Sequence, residues 1–210
     1  MSSKRKEFFI GSLISLTGIV LIGFGAALSE KMSMGLDPYT ALNRGASSLL
    51  GFDLGSYQLG INILILIVIF LMQRSLIGWG TIYNMVLVGY LIDFFEWFFD
   101  LFIDAEAMSL VLRLLITVIA IIFFTLGVAT YTETDLGVAP YDAIAPLIVD
   151  RTGWNYTPVR VAQDILVVIG AYLLSGPVGV STVITGFFCG PLISFFSKKV
   201  SKPIVDKFMG

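Results

Sequence analysis

Histidine is absent from this 210-residue sequence, and cysteine occurs once, as Cys189. Without histidine there is no Ser-His-Asp or Cys-His catalysis, no histidine-ligated haem and none of the usual zinc sites. A single cysteine closes no internal disulfide and builds no thiolate metal cluster. Charge is scarce as well: Asp, Glu, Lys and Arg together make 13% of residues, and the segments 8–28, 60–72 and 114–128 carry none. No basic stripe suited to nucleic acid exists, and no Walker motif for a nucleotide. Lacking any nucleophile–base set, the chain is not expected to be an enzyme, and no cofactor or metal is expected.

What is present is apolar. Hydrophobic residues make up 57% of the chain and its mean hydropathy is +0.91, against roughly 45–50% apolar for a soluble domain. An apolar window of about 19 residues reads as a membrane-spanning helix, and several recur here. The chain therefore reads as an all-α, multi-pass membrane protein. Its start, KRKEFF followed by an apolar run to Gly25-Ala26-Ala27, has the look of a secretory signal. Residues 113–129 repeat that pattern in mid-chain, ending in Gly127-Val128-Ala129, so the first run is read as a retained helix.

The phrase GLDPYTA at 35–41 returns as GVAPYDA at 137–143, 102 residues later. In that register Gly25, Ala27, Gly35, Pro38, Tyr39, Ala41 and Gly51 meet Gly127, Ala129, Gly137, Pro140, Tyr141, Ala143 and Gly153. After the loss of one residue, Gly78, Thr81 and Gly89 meet Gly179, Thr182 and Gly190. Matched glycines and a matched Pro-Tyr mark an internal repeat. Residues 1–105 form the first copy and 106–210 the second.

Each copy holds three long apolar segments, 8–29, 56–73 and 78–102, then 109–131, 157–174 and 179–197. Between the first two of each triplet lies a shorter piece, 38–50 or 140–151. A helix of that length covers about 18–20 Å, too little for a hydrocarbon core of about 30 Å. Proline suits its first turn, Asp37 is an N-cap in copy one, and Gly51 and Gly153 are C-caps. These pieces read as half-helices that dip into the membrane and return; a helix lying flat at the interface is the alternative. Six spans and two half-helices are thus expected. Three spans per copy insert the second copy upside down, giving two inverted repeats. Lys4, Arg5, Lys6, Arg74, Arg151, Lys198, Lys199, Lys202 and Lys207 then share one side, with Lys31, Arg44 and Arg113 as exceptions. The basic side is cytoplasmic, which places both termini inside.

Gly/Pro-interrupted short segments in matching places of two inverted halves point to a transporter binding site. Pro38, Tyr39, Pro140 and Tyr141 are therefore site residues, with Asp142 at the second half-helix N-terminus. Gln58 and Asn62 share a helix face, and their counterparts Arg160 and Asp164 are spaced for an i,i+4 ion pair. Polar residues Thr81 and Asn84 open the third span of copy one, matched by Thr182 and Thr185. Polar groups in a span are costly and face inward, so Asn62, Asn84, Arg160, Asp164 and Thr185 join the set. Helix–helix adhesion is the rival account for the neutral ones. Gly23, Gly25, Gly78, Gly80, Gly127, Gly186 and Gly190 read as close-packing positions. Asp93, Glu96, Asp100 and Asp104 read as a solvated acidic helix end, and Trp79, Trp97 and Trp154 as interfacial anchors.

Three motifs carry a family resemblance: G-x-G-x-A at Gly23, Gly25 and Ala27; Gly35, Pro38, Tyr39 and Thr40; and Gly78 to Thr81. Together they resemble the YczE-like group of bacterial membrane proteins, which also takes in YyaS and YitT. Met34 stands where that group has leucine, and tyrosine stands in both copies where it often has tryptophan. The resemblance implies an integral inner-membrane protein and assigns no activity. The expected function is a small-solute secondary transporter or facilitator; an aquaporin-like channel and a non-transporting membrane regulator are the alternatives. Its expected partners are a small-molecule or ion substrate and the lipid bilayer, with no nucleic acid and a homodimer allowed.

Overall fold

The computed structural model describes residues 3–209. The chain ends Met1, Ser2 and Gly210, which the charge bias assigns to the cytoplasm, lie outside the described residues. Nine α-helices follow in order among the described residues: α1 Ser3–Lys31, α2 Pro38–Leu50, α3 Leu54–Met72, α4 Trp79–Asp100, α5 Leu110–Thr132, α6 Pro140–Thr152, α7 Tyr156–Leu173, α8 Val180–Phe196 and α9 Lys202–Met209. A 3₁₀ turn, Arg74–Leu76, precedes α4, and a π-helical turn, Ser197–Ser201, joins α8 to α9. The protein is an all-α membrane protein.

Five of these helices, not the expected six, are long and apolar enough to cross a membrane: Arg5–Lys31, Leu54–Met72, Trp79–Asp100, Leu110–Thr132 and the joined stretch Val180–Met209. The sixth, α7, falls short because Arg160, Gln163 and Asp164 interrupt it. Those three residues are also the ones that build the polar network described below.

The short helices have well-formed ends. Asp37 accepts the Thr40 amide at 3.1 Å, Pro38 occupies the first turn, and Gly51 closes α2 at φ +73°. Helix α6 starts at Pro140 and ends at Gly153, at φ +69°. Both stops are left-handed glycine caps. In the third long helix of each half, the N-cap amides of Gly78 and Gly179 donate to Thr81 and Thr182 Oγ1, at 3.1 and 3.0 Å. The polar residues expected there thus divide: Thr81 and Thr182 tie helix starts, while Asn84 and Thr185 face the cavity.

Helices α1 and α5 cross at the centre of the core. A Cβ on Gly18 would lie 2.7 Å from Gly127 O, and one on Gly25 would lie 2.5 Å from Ala120 O. Rising numbers on one helix meet falling numbers on the other, so the two run antiparallel. Other contacts also recur with their partners exchanged. The Gly80 amide donates to Leu136 O at 2.7 Å, and the Ser181 amide to Met34 O at 2.8 Å. Gly35 packs on Gly179 and Thr182, and Gly137 on Gly78 and Thr81. Gly35 and Gly137 have φ of +89° and +103°, where an L side chain is strained, and a Cβ would also strike backbone. Only glycine fits these two turns. Around the crossing, Phe24 meets Phe95, Phe99 and Phe123 edge to face, with centroids 5.0–5.4 Å apart.

The acidic stripe on α4 is solvated only at its outer end, where Asp100 and Asp104 are exposed; its inner part is tied to other helices. Asp93 and Glu96 bind Arg44 of α2 at 2.9 and 2.7 Å, and Glu30 of α1 binds the same guanidinium at 2.9 Å. Asp93 Oδ2 also accepts the Gly55 amide at 2.8 Å, and Asp100 pairs with Lys31. Only Asp104 keeps a local role, capping the turn at Glu106 and Ala107. All three exceptions to the charge bias are therefore tied down. Arg113, the third, donates twice to Met32 O in the turn after α1.

Candidate functional site

The first turns of α2 and α6 meet through their tyrosines. Tyr39 and Tyr141 stack with centroids 4.4 Å apart and planes inclined by 13°. Proline at the start of each short helix sets the backbone direction into that turn, and the next residue in both is the tyrosine. Each hydroxyl then donates to the long helix of its own half. Tyr39 reaches Asn62 Oδ1 at 2.7 Å, and Tyr141 reaches Asp164 Oδ1 at 2.6 Å. The spacing in sequence is the same in both.

Behind Tyr141 the carboxylates are fully engaged. Arg160 Nε binds Asp164 Oδ2 at 3.0 Å and Nη1 binds Asp142 Oδ1 at 2.8 Å. Tyr131 donates to Asp142 Oδ2 at 3.2 Å while its hydroxyl accepts the Ala139 amide. All four carboxylate oxygens of the pair thus have a donor. The guanidinium carbon lies 5.0 Å from the Tyr141 ring centroid, within cation–π reach. Gln163 Nε2 holds Tyr141 O at 3.0 Å. Asp164 is 6% exposed, and an isolated carboxylate buried so deeply would be costly. One guanidinium shared by the two acids, with one phenol donating to each of them, offsets that cost.

These groups border a cavity of about 560 Å³, within the range of small-molecule sites. Of the residues singled out from sequence, Pro38, Tyr39, Asn62, Asn84, Tyr141, Asp142, Arg160, Asp164 and Thr185 line it. Pro140 does not: it is buried in the start of α6 and has no face on the cavity. Gly190 is also a correction, since it lines the cavity and nothing lies within 4 Å of where its Cβ would be. Gly186 also lines the cavity, but a Cβ there would lie 3.2 Å from Pro38 Cγ, so it keeps a packing role.

Sequence reasoning missed Tyr131, Tyr156 and Cys189, all of which line the cavity. Tyr131 matters most, being 1% exposed and holding both Asp142 and the α6 start. A tyrosine near the end of an apolar run has the signature of an interfacial anchor. The matching position in copy one is Ser29, so the repeat gave no hint either.

The family model of DUF6198, a family of unknown function, matches residues 10–198. The chain is 27% identical over 192 residues to the uncharacterized membrane protein YczE of Bacillus subtilis, covering 91% of this chain and 87% of that one. It is 26% identical to an uncharacterized protein of Haemophilus influenzae over 90% of this chain and 84% of the relative. Identity is also 26% to the Bacillus subtilis protein YyaS, over 90% and 94%. No solved structure matches the chain.

Proposed function

The chain belongs to the DUF6198 family, whose description assigns no activity, and we propose from the geometry that it is a small-solute secondary transporter or facilitator. The site is the cavity between the two short helices, and the halves 1–105 and 106–210 are inverted-topology repeats lying in the bacterial inner membrane. The observation that carries this reading is the Tyr39–Tyr141 stack beside the Arg160–Asp142–Asp164 network, on one cavity of about 560 Å³. Antiparallel α1 and α5, with contacts that recur under exchange of partners, support the inverted relation. Broken helices at the interface of such repeats are where transporters place their sites. Irregular backbone at membrane depth survives only against protein or a water-lined cavity, and the stacked tyrosines give it both.

Asp164 is the coupling group on this reading. Asn62, its counterpart, makes the corresponding tyrosine bond without charge, so the fold needs a hydrogen-bond acceptor here and not an ionised one. Asp164→Asn is expected to insert and fold, with its thermal midpoint within a few degrees of the parent, and to lose gradient-driven uptake in proteoliposomes. Full gradient-dependent uptake by that variant would reject the role. An aquaporin-like pore is the second reading, since opposed short helices build pores too; it predicts conduction that no ion gradient alters. Orientation is checked separately. Cysteines placed in 103–107 and in α9 are expected to label from opposite sides of the membrane, and same-side labelling would reject the inverted arrangement.

A further inference from the structure

We propose that the solute accepted by this cavity is a small organic cation bearing a protonated amine, with its N–H groups taken by Asp37 and Gln58. This rests on the reading of the cavity as a solute site and names the class of solute.

Three carboxylates, Asp37, Asp142 and Asp164, line the cavity against one guanidinium, Arg160. Asp142 and Asp164 are satisfied by Arg160 and two tyrosines. Asp37 is not satisfied. Its Oδ1 accepts the Thr40 amide and caps α2, while its Oδ2, shielded from solvent, has no donor. No lysine or arginine pairs with it among the described residues. Gln58, 4% exposed, likewise leaves its Oε1 without a donor. Two orphaned acceptors on one cavity, one of them on a carboxylate, call for a ligand that donates hydrogens and carries positive charge.

The internal repeat sharpens this. The residue matching Gln58 is Arg160, and the residue matching Asp37 is Ala139. In the second copy the cation that faces the acids is built into the chain. In the first copy that position holds a glutamine, the acid sits at the helix cap, and no built-in cation answers it. An alkylammonium group supplies there what Arg160 supplies opposite. An anionic solute would face an excess of carboxylates on both sides. The aliphatic or aromatic remainder of the cation has the Tyr39–Tyr141 stack and the apolar walls Val88, Phe124 and Val128 to lie against.

The test is equilibrium binding to the purified full chain in detergent, by isothermal titration, with methylammonium, n-butylammonium and phenethylammonium chlorides. Sodium chloride and sodium butyrate at equal ionic strength are the controls. At least one ammonium ion is expected to bind saturably. Asp37→Asn, which keeps an N-cap oxygen and removes the charge, is expected to weaken it by about ten-fold or more, the scale of a lost charge-assisted hydrogen bond. Gln58→Leu is expected to weaken it as well, and Gln58→Glu to tighten it; if Gln58→Leu fails to fold, Gln58→Glu alone decides that contact. Saturable binding of none of the three ions, equal binding by Asp37→Asn, or a response to sodium or butyrate in their place would overturn the proposal. Binding in detergent needs no transport, so the two readings fail separately. Ammonium binding without uptake rejects transport alone, and uptake of an anion without ammonium binding rejects the solute class alone.

Discussion

Arg160→Met is expected to destabilise the folded protein by about 3–5 kcal/mol, the cost of stranding a buried charge by removing its partner. The substitution strands two. Asp142 and Asp164 each keep one phenolic donor, from Tyr131 and Tyr141, and lose the guanidinium that bridges them. Their charges then face each other with no cation between, on a cavity with only one guanidinium to begin with. Methionine replaces most of the apolar stem, so little of the loss is packing. The measurement is the unfolding free energy in bicelles, compared with the triple variant Arg160→Met, Asp142→Asn, Asp164→Asn. That variant has no stranded charge and is expected to recover most of the loss. Equal instability of the single and triple variants would mean that the arginine acts through its shape and not its charge.

How far this network was visible in the chain itself depends on distance along it. Arg160 and Asp164 are four apart on one helix, so their pairing follows from helical geometry. Asp142 is eighteen residues from Arg160, and its place in the same network depends on how α6 packs against α7. Tyr131 lies on a third helix, and nothing local distinguishes a buried hydroxyl from an interfacial one. The short helices were legible because their ends are written in residues with narrow conformational roles: Pro38 and Pro140, Asp37, Gly51 and Gly153. The quartet around Arg44 was not. Glu30, Arg44, Asp93 and Glu96 come from three helices, and their periodicity on α4 alone has the same spacing as a solvated face. Helix α7 shows the converse limit. Hydropathy counts its polar residues against membrane insertion, though Asp164 is buried and Arg160 and Gln163 are half-buried against partners the count does not see.

The second large effect is expected at the α1–α5 crossing, where Gly127→Ala should cost about 1–3 kcal/mol, as overpacking of a close-packed core does. A Cβ on Gly127 would sit 2.6 Å from Gly18 O and 2.7 Å from the Ile22 amide nitrogen. Both are backbone atoms inside a helix, so no rotamer change relieves them, and the two helices must move apart. That separation would loosen the Gly25–Ala120 contact on the same crossing and the edge-to-face Phe24 cluster beside it. Gly190→Ala is the informative contrast. By sequence Gly127 and Gly190 look alike, each a glycine in an apolar helix. Nothing lies within 4 Å of a Cβ at Gly190, and alanine is the better helix former by about 0.8–1.0 kcal/mol. The Gly190 variant is therefore expected to be as stable as the parent or slightly more so, while its new methyl group narrows the cavity it lines. Thermal midpoints of the two variants in one detergent decide the matter. If Gly190→Ala loses as much stability as Gly127→Ala, the assignment of one glycine to packing and the other to the cavity wall is wrong.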